Sequence, residues 1–572
     1  MLDVLLRGGT VVDGSGTAPR IADVAIRDGR IVAIDDVAED AVTVIDATGL
    51  LVTPGFVDPH THYDAQLFWD PTASPSNVHG VTSVIGGNCG FTLAPIKPVD
   101  ADYLRKMMAK VEGMPLAALE TGITWDWQSF AEYLDRLDGN LGVNAGFLVG
   151  HCALRRYVMG EASVGNEATV QQVSEMVALL RESIAAGGLG FSTTLSKTHN
   201  DGDGNAVPSR WATHDEVLAL CAEVKAHEGT TLEAIVDGCL DMFSDDEIDL
   251  LARMSSMGQR PLNWNVLTVD SSAPERIPRQ LEASSRAREI GGRVVALTMP
   301  VQVPMNMSFG TYCALFMIPG WSDVMSLPRD ERRDRLADPA VRADLDAKAK
   351  SPAAGVFRRL GDWHNYVLGD VYAPENDGLK GRRVGDVAKE RGQDAFDTLL
   401  DVVIADDLRT ILWPIPSDGN TESWALRAEL WADDRSMIGG SDAGAHLDRM
   451  CGAPYTTRFV GDCLRGRQLV PLERAVQMLT DEPARLFGLR ERGRLEVGWH
   501  ADVCVFDPTT VGADHATLVE DLPGGSARLT ADAQGVRHVF VNGVETVRDN
   551  RPTGALPGTL LRSGRDTETV LP

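Results

Sequence analysis

Long hydrophobic runs are missing from this sequence: no stretch approaches the ~20 apolar residues that cross a bilayer. A membrane-spanning protein is therefore not expected. Positive charge is scarce as well. Lys and Arg number 54 against 82 Asp and Glu, a net charge of −28, which disfavours a protein that tracks nucleic-acid phosphates. The 8 cysteines are few for a 572-residue chain and none stands in a CxxC pair. A disulfide framework is not expected, although one cysteine or more is available as a ligand. Met1 to Gly8 has neither the basic flank nor the apolar stretch of a signal peptide, so a cytoplasmic location is expected. What remains is ordinary globular composition, 44% hydrophobic and 24% charged, at a length that needs one large core or several smaller ones.

The two ends share a texture. Asp3 to about Ala47 alternates Val and Ile with polar residues and turns at Gly and Asp, and GRLEVGWHADVCVFD and VRHVFVNGVETV near the far end do the same. These stretches are expected to form one sheet structure, with the middle inserted between them. The middle alternates helix and strand. Val170, Val173, Met176, Val177, Leu180 and Ile184 recur at helical spacing, stop at Gly187-Gly188, and are followed by the strand LGFSTTL. Thr213 with Glu216, and Ser244 with Glu247, carry the capping-box spacing; TTLEAIV and PLNWNVLTV follow as strands. Another helical stretch, Pro274 to Ile290, leads into RVVALTMPV. Such alternation implies a parallel sheet, and over residues 54–489 a closed α/β (β/α)8 TIM-like barrel houses it best. Lys197 to Arg210 reads as a rim loop. Residues 305–378, with their charged helical run, are too long for a simple connection and read as an inserted lid or a solvated surface helix.

Three short motifs carry chemistry, each just past an apolar strand. In PGFVDPHTH, His60 and His62 are two positions apart, so on a strand they project to one side and can share a metal ion. An HxH alone is weak, and its strand context strengthens it. In IGGSDAG, Asp442 can hold a metal's edge and accept a proton from water as a general base; alone the motif favours a turn aspartate capping a helix, and paired with HxH it does not. In VIGGNCG, Cys89 offers a thiolate at a strand's carboxyl end, a good zinc ligand, with a small buried core residue as the bland alternative. His151 and Arg155, in GHCALR, also fall at the rim, as structural groups or substrate contacts. His446 either reaches the substrate or starts the next helix. His199, in the polar rim loop, is expected to be solvent-exposed, and Trp69 and Trp125 to Trp127 to be packing.

With these motifs in hand, the chain resembles the amidohydrolase superfamily, in its N-acyl-D-amino-acid deacylase (D-aminoacylase) branch. PGFVDPHTHYD, GGNCGFTLAP, GHCALR, GSDAG, LTDEPARLFGL and GRLEVGWHADVCVFDP carry the likeness along nearly the whole length. The resemblance implies a β-sandwich built from residues 1–53 and 490–572 beside the barrel, and zinc-assisted hydrolysis of an amide by metal-activated water. It implies one or two zinc ions, with His60, His62 and Asp442 around one position, Cys89 at the other, tighter one, and Asp442 as general base and acid; Cys89 and Glu233, helped by one or both of His60 and His62, are expected to hold the principal zinc. The branch usually adds two histidines and a lysine from the fifth and sixth strands. Here Glu233 and Asn265 stand at the histidine positions and Leu267 at the lysine position. Glu233 can ligate through oxygen or be a buried carboxylate paired with an arginine; Asn265 is a poor zinc ligand and Leu267 brings no charge.

The expected reaction is thus deacylation of a small N-acyl-(D-)amino acid. A cyclic amide or lactone hydrolase is an alternative, and a non-catalytic amidohydrolase-like scaffold is one of a different class. Barrels of this kind are often homo-oligomers, though no interface pattern stands out here.

Overall fold

The computed structural model describes residues 1–310 and 313–572. Thr311 and Tyr312, inside the expected insertion, lie outside the described residues. The chain divides into two compact units, one of Met1–Val301, Trp424–Leu447 and Cys451–Pro572, the other of Gln302–Ser423 and Asp448–Met450.

The larger unit holds two parallel sheets and one long mixed sheet. Phe56–Asp58, Val81–Gly86 and Asn144–Phe147 form a three-stranded parallel sheet. Val149–Gly150, Gly190–Thr194, Thr231–Ile235, Leu262–Trp264, Val294–Thr298 and Ser436–Ile438 form a six-stranded one, also parallel throughout. Every residue of the strands from Val81 to Thr298 in these sheets is buried, as parallel strands covered on both faces require. Thr61 and Ala443 make a parallel bridge, so the chain just past the first of these strands meets the chain just past the last. The arrangement is α/β and TIM-barrel-like.

Helices alternate with these strands for local reasons. Thr169 caps Val170–Ala185 in a reciprocal box with Gln172, and Ser244 caps Asp245–Gly258 in a box with Glu247. Thr213 accepts the Glu216 N–H at the start of His214–Val224, but the Glu216 carboxylate turns elsewhere. The strand beginning PLNW is shorter than its apolar pattern suggests, ending at Trp264.

Both chain ends enter one nine-stranded sheet. Leu51–Pro54 runs antiparallel to Val503–Phe506, with Val52 opposite Val505, and strands from either end extend the sheet on each side. Val4, Leu6, Val24, Ile26, Val52, Val503, Val505 and Phe540 pack into its core. Beyond it, Leu141 bridges Pro557 and Ala145 bridges Leu560, so the last stretch of chain runs beside the strand Asn144–Phe147.

The smaller unit has its own core of Phe309, Trp321, Leu345, Trp363, Phe396 and Leu399. It reaches past the expected 305–378 insertion because Val384–Arg391 and Ala395–Ala405 contribute to that core, and because Leu412–Pro414 pairs antiparallel with Tyr366–Leu368. All eight cysteines are free and buried. Among the described residues, no helix is long and apolar enough to cross a membrane.

Candidate metal centre

The motifs that are far apart in sequence meet at the carboxyl ends of the parallel strands. His60 and His62 follow Phe56–Asp58, and their rings lie 5.3 Å apart, edge to face. Cys89 follows Val81–Gly86. The Asn88 amide donates to the Thr61 and Ile85 carbonyls at 3.1 and 2.9 Å, which pins the Asn-Cys-Gly turn against the histidine segment. Asp442 follows Ser436–Ile438, where His62 N–H donates to the Ala443 carbonyl and Asp442 N–H to the His60 carbonyl. Glycine makes this approach possible: a Cβ on Gly444 would stand 2.6 Å from the His62 carbonyl group. Cys89, Asp442 and His446 have φ of 53°, 52° and 52°, left-handed conformations that cost a non-glycine residue roughly 1–2 kcal/mol each. Such strain concentrates at functional sites.

The donor atoms converge. His60 Nε2 lies 3.3 Å from Asp442 Oδ1 and 3.5 Å from Cys89 Sγ, and His62 Nε2 lies 3.9 Å from Asp442 Oδ1. One ligand atom from each of His60, His62 and Cys89 falls within 4.8 Å of the others. Glu233, in Thr231–Ile235, accepts the Cys89 backbone N–H at 2.7 Å and turns its other oxygen to the thiol at 4.0 Å. It is fully buried and its neighbour is the cysteine; among the described residues no arginine is a hydrogen-bond or ion-pair partner. Asn265 donates to Asp442 Oδ1 at 3.0 Å, so the residue at the second histidine position orients the aspartate. Leu267 is buried, its N–H bonded to the Leu297 carbonyl.

These residues fit a divalent cation. Two ligands of a tetrahedral zinc stand about 3.4 Å apart, given bonds of about 2.0–2.3 Å. The separations from 3.3 to 3.9 Å among His60, His62, Cys89 and Asp442 are close to that spacing. Burial drives the groups to their neutral forms. It holds His60 well below the usual imidazole range and, with His199 adding to it, lowers His62 to about 3. Burial first, then the carboxylates of Glu233, Glu112 and Asp442, push the Cys89 thiol well up, and burial does the same to Glu233. A cation among them reverses this preference, because the anionic forms are the ligands.

Two residues at the site are not marked by any sequence motif. Glu112, buried immediately after the helix Ala101–Val111, brings Oε2 to 3.7 Å from His62 Nε2. His199, expected in solvent, is half-buried, bonded through Nδ1 to Thr194 Oγ1 at 2.8 Å, and acts electrostatically on both His60 and His62. The physical reason is that the rim loop folds back, with the His199 ring edge-on to Phe91 at 5.2 Å.

His151 and Arg155 lie elsewhere. His151 Nε2 meets Glu216 Oε1 at 2.9 Å and Nδ1 meets Thr193 Oγ1 at 2.8 Å, while Arg155 pairs with the same glutamate at 2.6 Å and with the Asn166 carbonyl at 2.7 Å. Of the two readings, structural group or substrate contact, these contacts belong to the first: the three side chains form a fully buried brace. His446 is partly exposed, with its N–H donating to the Glu112 carbonyl.

Residues 43–547 match the Amidohydrolase family. The chain is 30% identical to D-aminoacylase of Alcaligenes xylosoxydans xylosoxydans, over 98% of this chain and 97% of that protein. It is 29% identical to N-acyl-D-glutamate deacylase of the same organism, over 98% and 96%. A solved structure of D-aminoacylase, an enzyme with a binuclear metal centre, superposes with a TM-score of 0.63 at 25% identity, covering 98% of this chain and all of that one. The chain belongs to the amidohydrolase family, in its D-aminoacylase-like branch, and is a hydrolase of carbon–nitrogen bonds other than peptide bonds.

Proposed function

We propose that the chain is a zinc-dependent deacylase of N-acyl-D-amino acids, with His60, His62, Cys89, Glu233 and Asp442 holding one or two ions at the mouth of a closed barrel. The observation that carries this reading is the meeting of imidazole, thiol and carboxylate donors from four distant stretches within ligand spacing. Soft sulfur with imidazole nitrogen favours zinc. The similarity to D-aminoacylase and its binuclear centre supports both substrate and metal.

A bound divalent ion supplies positive charge that polarises the scissile carbonyl and acidifies the attacking water. The chain's own part falls first to Asp442. Its side chain is 20% exposed where the imidazoles beside it are at most 1% exposed, so it is the member of the cluster that faces reactants. With Oδ1 held by Asn265 and turned to the imidazoles, Oδ2 is assigned to take the water's proton and to return it to the leaving nitrogen. His446, four residues on, is assigned to substrate contact. His151 and Arg155 are assigned to bracing the rim through Glu216.

The domain reading belongs to the same proposal: a β-sandwich of 1–53 with 490–572, a barrel of 54–489, and an insertion acting as a lid. The chain enters the smaller unit shortly after the carboxyl end of Val294–Thr298, the end of barrel strands from which active-site loops arise. A cytoplasmic location and a small-molecule substrate complete it. Leu267 favours a second reading. A buried leucine where the branch carries a lysine provides no cation for a substrate carboxylate, which suits a cyclic amide or lactone.

Purified protein, analysed for metal and assayed on N-acyl-D- and N-acyl-L-amino acids, hydantoins and lactones with and without zinc, tests this. Hydrolysis of the D-series with at least about half an equivalent of divalent metal is expected. Activity on hydantoins or lactones alone moves the assignment to the second reading, and less metal than that removes the metal.

A further inference from the structure

The polar loop from Lys197 to Arg210 follows Gly190–Thr194, one of the parallel strands whose carboxyl ends carry the site. Its single histidine, His199, is held in place from both backbone and ring. The His199 carbonyl accepts from Arg210 Nη1 at 3.1 Å, and the same nitrogen donates to Asn200 Oδ1 at 2.8 Å. The ring stands edge-on to Phe91, two residues past Cys89, with centroids 5.2 Å apart. It lies within electrostatic reach of both His60 and His62, so it borders the donor cluster without belonging to it.

The hydrogen bond at Nδ1 decides what the other ring nitrogen offers. Thr194 Oγ1 accepts the Ser196 N–H at 3.2 Å, and its own proton has one acceptor among the described residues, His199 Nδ1 at 2.8 Å. A hydroxyl that donates to Nδ1 leaves the proton of the neutral ring on Nε2. Burial first, then the charge of Arg210, lower the His199 pKa to about 3, so the ring is neutral at ordinary pH. Nε2–H is thus a donor, and among the described residues nothing accepts from it. Histidines that serve structure in this chain look different. His79 and His151, both fully buried, engage both ring nitrogens at 2.7 to 3.0 Å. His199 is only half-buried and keeps Nε2 open to an incoming group.

A fixed N–H beside the metal donors suits a substrate oxygen. In an N-acyl amino acid the carboxylate is a short span from the scissile carbonyl, and charged oxygens make the stronger hydrogen bonds. We propose that His199 is a substrate-binding residue, its Nε2–H donating to the carboxylate of the N-acyl-D-amino acid where buried Leu267 supplies no cation. The inference rests on the deacylase reading above and deepens it: the acid is recognised by an uncharged, preoriented donor from the rim loop.

The test uses full-length, zinc-loaded protein on the N-acetyl-D-amino acid that wild type cleaves fastest and on that compound's methyl ester, followed by release of acetate. His199→Phe keeps a ring against Phe91 without a donor, and His199→Gln brings an amide N–H close to the Nε2 position. His199→Phe is expected to lose at least ~10-fold in kcat/KM on the acid, chiefly through KM, and less than ~2-fold on the ester, while His199→Gln keeps most of the preference for the acid. Thr194→Val removes the hydroxyl that fixes the ring. It is expected to lose several-fold on the acid alone, and decides the matter should His199→Phe not fold. Equal losses on acid and ester, or none on either, overturn the inference, because a purely structural histidine has no means of telling an acid from its ester. A wild type that cleaves neither compound overturns the deacylase reading and the inference with it.

Discussion

Asp442 is placed in different ways by Asn265, which donates to its Oδ1, and by Gly444, which lets its loop lie against His62. Replacing it with asparagine keeps the shape and one side-chain oxygen while removing the proton acceptor. Asp442→Asn is expected to retain the fold and most metal and to lose at least ~100-fold in kcat, measured under saturating zinc. Turnover equal to wild type takes Asp442 out of the proton path. This residue, like His60, His62 and Cys89, is legible in the sequence because each ends an apolar strand in a short motif. Glu112 and His199 are not legible. They reach the site from a helix end and a polar loop, through contacts of Glu112 with His62 and of the His199 ring with Phe91, tens of positions away, and no local pattern encodes that.

At the level of elements, equal spacing does not give equal roles. Ser244 with Glu247 and Thr213 with Glu216 read identically as capping boxes, and only the first closes. The Glu216 carboxylate goes instead to His151 and to the buried Arg155. Breaking the first box by Ser244→Ala is expected to cost about 1 kcal/mol. Glu216→Gln, which leaves an arginine buried without its counter-charge, is expected to cost about 3–5 kcal/mol. Urea unfolding of the two variants checks the ranking, and equal losses would mean that the brace carries no more than an ordinary cap. The helix–strand rhythm identifies the parallel sheets well. It is less informative from Val384 to Pro414, where a similar rhythm belongs to the smaller unit and its strand pairs antiparallel.

Across the larger unit, distant segments are joined by polar contacts as well as by the core. Asn144, in the three-stranded parallel sheet, donates to Asp502 at 3.0 Å beside the long sheet, and Asp502 also pairs with Arg492. His79 sits fully buried between Thr457 Oγ1 at 2.7 Å and the Ala531 carbonyl at 3.0 Å. Burial lowers its pKa to about 4, against about 6.5 for a free imidazole. Between those values the unfolded chain binds the extra proton, so stability is full above pH 6.5 and is lost as the pH falls toward 4. The loss from this one residue is roughly 3 kcal/mol at most. Thermal melts across that range are expected to show the fall in wild type and a flatter acid limb in His79→Gln; parallel curves would assign the acid sensitivity to other groups.

The pairing of Val52 with Val505 also has a cost in time. At about 5–20 residues per second of translation, the partner of Leu51–Pro54 emerges from the ribosome roughly 20 to 90 s after that strand. Throughout that interval the nascent chain presents an apolar β edge with nothing to zip onto, which is the condition that recruits a holdase in the cell and yields inclusion bodies when expression is forced.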